Sequence, residues 1–133
     1  MTAKTLGIDH LGITVPDLDA TLNFFVDCLG WTKKGGNEAY PSAYVSDGTS
    51  TVTIWQATTN APVSFDRHAN IGLHHLALKV ATEEKLNSLF VEVKNWPGVT
   101  VEFAPEFSGS GPKVHCMINE PGGNRIELAY DPR

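Results

Sequence analysis

Residues 7–15, GIDHLGITV, and residues 72–80, GLHHLALKV, are two versions of one segment. Gly7 answers Gly72, His10 answers His75, Leu11 answers Leu76 and Val15 answers Val80, with Ile/Leu and Gly/Ala exchanges between. A duplication constrains the fold more than any local propensity, because whatever one copy builds the other should build too.

The likeness continues past the strand pattern. After the first copy, Asp17 is a helix N-cap candidate, followed by Leu18, Leu22, Phe25 and Leu29 at helical spacing, with Gly30 as the stop. After the second, Thr82 is the N-cap candidate, Glu83 and Glu84 fill the first turn, and Leu86, Leu89, Phe90 and Val93 form the apolar stripe. Each helix precedes three strand patterns: TKK, AYVSD and TVTIWQ in the first half, VTVEF, KVHCMIN and RIELAY in the second. The turn EPGGN stands where SDGTS stood. The expectation is an α+β fold of two βαβββ modules, about residues 5–57 and 70–131, joined by a linker of about 58–69 and forming a curved mixed sheet around a concave pocket. The Ser- and Gly-rich stretch 105–112 is expected to be a mobile loop.

A chain of 133 residues suits one domain. Its 15 acidic against 10 basic side chains leave a net charge of -5 and no basic field for phosphate backbones, so nucleic acid is not an expected partner. No run approaches the roughly 20 apolar residues of a membrane span. The N-terminal stretch lacks the apolar core of a signal peptide, which points to the cytoplasm. Cys28 and Cys116 sit in apolar segments, where reduced thiols pack as small hydrophobes.

Strand alternation assigns faces. Leu11, Ile13 and Val15, like Leu76, Leu78 and Val80, suit the side under a helix. His10, Gly12 and Thr14, and in the second copy His75, Ala77 and Lys79, take the other side. A small residue two positions after each histidine is expected to leave open space there, as a ligand cavity requires. In the last strand Glu127 shares that open face, and a carboxylate in a strand needs a cation or strong donors. His10, His75 and Glu127 together suit a divalent transition metal with positions left open for substrate. His74 has the opposite parity and reads as structural. His115 is a candidate general acid or base if it faces the cavity, and otherwise an ordinary strand histidine. Trp55 and Tyr44 line the pocket as flat apolar walls or, as the default, pack in the core. Lys113 and Arg67 flank the loops, where they hold an anionic group or are simply solvated.

DHLGITVPDLDATLNFF, HHLALKV and EPGGNRIEL together resemble the vicinal oxygen chelate superfamily, which includes glyoxalase I, bleomycin-resistance proteins and extradiol dioxygenases. The resemblance spans essentially the whole chain. It implies a divalent ion (Zn, Ni, Mn or Fe) on His10, His75 and Glu127, a small substrate chelated through adjacent oxygens, and a homodimer whose site forms either within one chain or with His10 from one chain and His75 and Glu127 from the other. The fourth family position falls on Thr53, which is no carboxylate, with Gln56 as the alternative after a register shift. A glyoxalase-like lyase or isomerase step is the leading implication, with Glu127 and His115 as the catalytic pair. An extradiol-type dioxygenase and a metal-free binding protein are the alternatives.

Overall fold

The computed structural model describes residues 2–133. Its first module runs β1 (Leu11–Val15), α1 (Leu18–Asn23), β2 (Thr32–Asn37), β3 (Ser42–Ser46) and β4 (Thr51–Gln56). The second runs β5 (Leu76–Lys79), α2 (Glu83–Lys94), β6 (Thr100–Phe107), β7 (Val114–Asn119) and β8 (Arg125–Tyr130). The duplication is thus carried through in space: one four-stranded sheet is ordered β1-β4-β3-β2, the other β5-β8-β7-β6. In each, the first strand pairs parallel with the last and the remaining pairs are antiparallel. Parallel pairing needs a crossover, which α1 and α2 begin.

Both helices start where their caps predict. The Asp17 carboxylate accepts from the Ala20 backbone N–H, and the Thr82 hydroxyl from that of Lys85, each satisfying a donor the first turn leaves free. The first helix departs from the expected stripe: after Asn23 it widens into a π-helical turn, Phe24–Cys28. Adjacent Phe24 and Phe25 are then both fully buried, edge to face at 5.7 Å, with Trp31 edge-on to Phe25 at 5.1 Å. They join Ile13, Val15 and Ile54 of the first sheet, Leu86 of α2, and Ile118 and Leu128 of the second sheet in one core. Cys28 and Cys116 lie there as free thiols, and burial pushes both up to about 11, where they are unreactive at neutral pH.

Two expectations about backbone change. The stretch 105–112 is ordered by hydrogen bonds: β6 continues to Phe107, and the turn that follows is closed by hydrogen bonds from Ser108 N–H to the Lys113 carbonyl and from Gly111 N–H to the Ser108 carbonyl. Strand pairing with β7 takes up backbone groups that a free loop would expose. Secondly, β1 begins at Leu11 and β5 at Leu76, so His10 and His75 each stand one residue before their strand, at its lip.

The modules are tied by a buried contact. The Thr21 hydroxyl in α1 donates to Glu120 of the β7–β8 turn at 2.7 Å, and the same carboxylate accepts from the backbone and side chain of Asn124. Among the described residues no helix is long and apolar enough to cross a membrane.

Candidate active site

Module two supplies the more complete half of the site. Strand register places Ala77, Glu127 and Met117 in one row across β5, β8 and β7, and Lys79, Ala129 and His115 in the next. Partners in register share a face, so Glu127 and His115 are near neighbours on the side opposite the core. Glu127 Oε1 lies 2.5 Å from His115 Nδ1, with both side chains largely buried, and Phe103 covers the imidazole at 4.9 Å. The second Glu127 oxygen has no hydrogen bond among the described residues, yet it is not sealed off: the one enclosed, unpaired side-chain oxygen among them is that of Ser42.

His75 and His10 are held alike. His10 Nδ1 is 2.7 Å from the carboxylate of Asp9, so this nitrogen carries the proton it donates. His75 Nδ1 is 2.8 Å from Nδ1 of His74, and here the donor is fixed by a third group. Arg125 Nη1 approaches the same His74 nitrogen at 3.1 Å, and a guanidinium only donates, so His74 Nδ1 is the acceptor and its single lone pair is shared between Arg125 and a donating His75 Nδ1. Desolvation and the Arg125 charge both lower the His74 pKa, which favours this neutral, accepting form. With Nδ1 as the donor, the neutral ring of each lip histidine presents Nε2 with a free lone pair, the form in which imidazole ligates a metal. The residue preceding each one, Asp9 or His74, sets that tautomer. Sequence parity separated His74 from His75 without revealing this role.

Arg125 is itself anchored by a fork to Glu102, at 2.7 and 2.8 Å, with Arg67 at 3.5 Å on the same carboxylate. Arg67 is thus occupied by Glu102. The hydrogen bond from Arg125 pulls the Glu102 carboxyl from its ordinary 4.5 to about 2. Its folded value lies below the unfolded one, so the stabilisation is fully present above about pH 4.5 and is lost as pH falls through about 2. Glu102→Gln is expected to flatten the pH dependence of the unfolding midpoint across that window; an unaltered slope in acid titrations followed by circular dichroism would count against it.

Module one differs. Thr53 stands opposite Gly12 in register, and its hydroxyl accepts from the Trp55 indole N–H at 2.8 Å. A side chain at residue 12 would meet that hydroxyl at 3.1 Å, so the expected open space is filled by Thr53 and Trp55. Beside Ala77 a cavity does remain. Trp55 is half-buried and outside the core, packed edge-on to Tyr40 at 5.1 Å and tilted against Tyr44 at 6.3 Å. This aromatic wall replaces the core role expected for Trp55 and Tyr44. The Gln56 side-chain oxygen caps α1 by accepting from Leu18 N–H at 3.2 Å, which commits it elsewhere than to a metal.

His10 and His75 line one apolar groove of about 360 Å³ between the modules, with Trp31, Val52, Leu76 and Leu78. Glu127 does not join them: among the described residues of one chain, no three His, Cys, Asp or Glu groups stand together as a metal cluster.

A family model described as the glyoxalase/bleomycin resistance protein/dioxygenase superfamily matches residues 7–128. Among solved structures, a domain of that description from Frankia sp. EAN1pec superposes with a TM-score of 0.82 at 18% identity, covering 98% of this chain and 95% of that one. Lactoylglutathione lyase from Agrobacterium tumefaciens gives 0.71 at 18% identity, with 95% and 94% covered. A glyoxalase/bleomycin resistance protein from Albidiferax ferrireducens T118 gives 0.70 at 17%, with 94% and 98% covered. A search of curated proteins finds no match. At such identities the structures speak for the fold, while the family model spans nearly the whole of both modules; the chain belongs to the glyoxalase/bleomycin resistance protein/dioxygenase superfamily.

Proposed function

We propose that the chain is a metal-dependent enzyme acting on a small substrate through two adjacent oxygens, with a glyoxalase-like lyase or isomerase reaction. The observation that carries this reading is the matched tautomer at the two lips: Asp9 and His74 each hold a histidine by Nδ1, leaving His10 Nε2 and His75 Nε2 free to ligate. Glu127, with one oxygen unpaired, completes a donor set of two nitrogens and a carboxylate that suits Zn, Ni, Mn or Fe. A bound divalent ion would supply Lewis-acid stabilisation of charge developing on the substrate oxygens. His115 orients Glu127 through Nδ1, and its ring is the group placed to hold or move a proton beside that carboxylate.

The site is read as completed by a second copy, His10 from one chain facing His75 and Glu127 of the other. Three of the four most exposed large apolar side chains among the described residues, Leu6, Ile8 and Ile71, precede the first strands of the two modules, and Leu73 joins them. Leu6 and Ile71, like Ile8 and Leu73, are equivalent positions of the duplication. Such a patch beside both lip histidines suits a homodimer interface. Buried free thiols fit a reducing, cytoplasmic setting.

Metal analysis of the purified protein together with its sedimentation mass tests the reading. It requires one divalent ion per site and a mass twice 14.4 kDa; a metal-free protein that acquires none on incubation with Zn, Ni, Mn or Fe would overturn it. An extradiol-type dioxygenase is the second reading, favoured by Thr53 in the fourth position, because three protein donors leave room for both a diol and oxygen. Oxygen uptake by the Fe(II)-loaded protein with catechols selects it, and no uptake with any diol removes it.

A further inference from the structure

Beyond Glu127 on the same face lies a cavity of about 410 Å³ lined by Ala77, Lys79, Ala129, Lys113, Asp131 and Arg133 among others. Its charge is one-sided. Arg133 is paired with Asp131 by two side-chain hydrogen bonds of 2.9 Å, and the two cancel. Neither Lys79 nor Lys113 has a carboxylate within ion-pair distance among the described residues. Three cationic side chains thus line the hollow against the single carboxylate of Asp131, which Lys113 also neighbours, and the hollow keeps a net positive charge in a chain whose net charge is -5.

Register links this hollow to the candidate site. Lys79 shares a row with Ala129 and His115, one step along the strands from the row of Ala77 and Glu127. That step is two residues, about 6.6 Å, and the small Ala129 between Lys79 and His115 leaves the floor open. Glu106 ends that row at its far side, next to His115, while Lys79 stands at the opposite end. Net positive charge gathered on a concave surface attracts an oxyanion more strongly than the same charge spread over an open one.

We propose that Lys79 and Lys113, flanked by the Arg133–Asp131 pair, form an oxyanion subsite that takes a carboxylate or phosphate at the end of the substrate remote from the reacting oxygens. This rests on the reading of the Glu127 face as the reaction site, and it names the substrate class: a small molecule with adjacent oxygens at one end and an anion about one side-chain length away.

The test is titration of the purified protein with inorganic phosphate and with acetate, followed by amide shifts in nuclear magnetic resonance. Shifts are expected at Lys79, Lys113 and Ala129, with binding at least tenfold weaker in the double variant Lys79→Gln/Lys113→Gln. Which probe binds more tightly separates a phosphate from a carboxylate substrate. The same titration in Glu127→Gln excludes attraction by a metal, and binding there is expected to persist. A protein that binds either anion at these residues but holds no metal would support the subsite and sink the metal reading alone. Absence of shifts at the three residues overturns the subsite, as does equal affinity in the double variant.

Discussion

His75→Ala is expected to strip the protein of its divalent metal, while His74→Gln retains it with affinity lowered about 10- to 100-fold. The two histidines are adjacent and both exposed, so a site built on accessible imidazole alone would respond equally to either change. The hydrogen bonds separate them. His74 spends Nδ1 as an acceptor, from Arg125 and from His75, and its effect on a metal passes through the tautomer of its neighbour. His75 is left with Nε2 as a ligand, and alanine there removes a donor outright. His10→Ala should match His75→Ala, and Asp9→Asn should match His74→Gln, because the preceding residue plays the same part in both copies. Metal content after dialysis against a graded chelator measures all four, with circular dichroism to check folding. Equal losses at 74 and 75 would sink the division of roles.

That division marks how far the sequence could be read. The duplication, strand order and both caps were legible because each depends on local pattern: Asp17 and Thr82 announce helix starts, and alternation in LGITV and LALK announces a buried face. The π-helical turn was not legible, since Phe24 joins the core only when a widened turn puts adjacent residues on one side. Nor was the crowding at Gly12, which depends on Thr53 lying opposite in a parallel pair 41 residues on in sequence. His115 showed itself as a histidine on a strand near β8; its contact with Glu127 follows from a diagonal across antiparallel register that spacing alone does not give. The tautomer of His75 was furthest from reach, because it is fixed by Arg125, 50 residues away, and Arg125 is in turn held by Glu102.

Gly122→Ala is expected to destabilise the protein by about 1–3 kcal/mol, as overpacking does. A Cβ built at residue 122 would come within 2.5 Å of Glu120 Oε1, 2.7 Å of Val15 Cγ1 and 2.8 Å of Thr21 Oγ1. These atoms belong to the β7–β8 turn, the end of β1 and the first helix, so relief requires the two modules to part. None of the three can retreat cheaply. Glu120 is 1% exposed and held by Asn124, Thr21 is fully buried and bonded to Glu120, and Val15 is packed in the core. Breaking the Thr21–Glu120 bond would leave a buried carboxylate short of a donor, which adds to the steric cost. Gly123→Ala is the control: it has no atom within 4 Å of the added methyl, but its φ of +92° strains the backbone in place of the packing. Chemical denaturation should therefore show Gly122→Ala losing cooperativity between modules along with stability, whereas Gly123→Ala lowers the midpoint with the slope kept. Equal slopes in both variants would show that the turn is not what couples the halves.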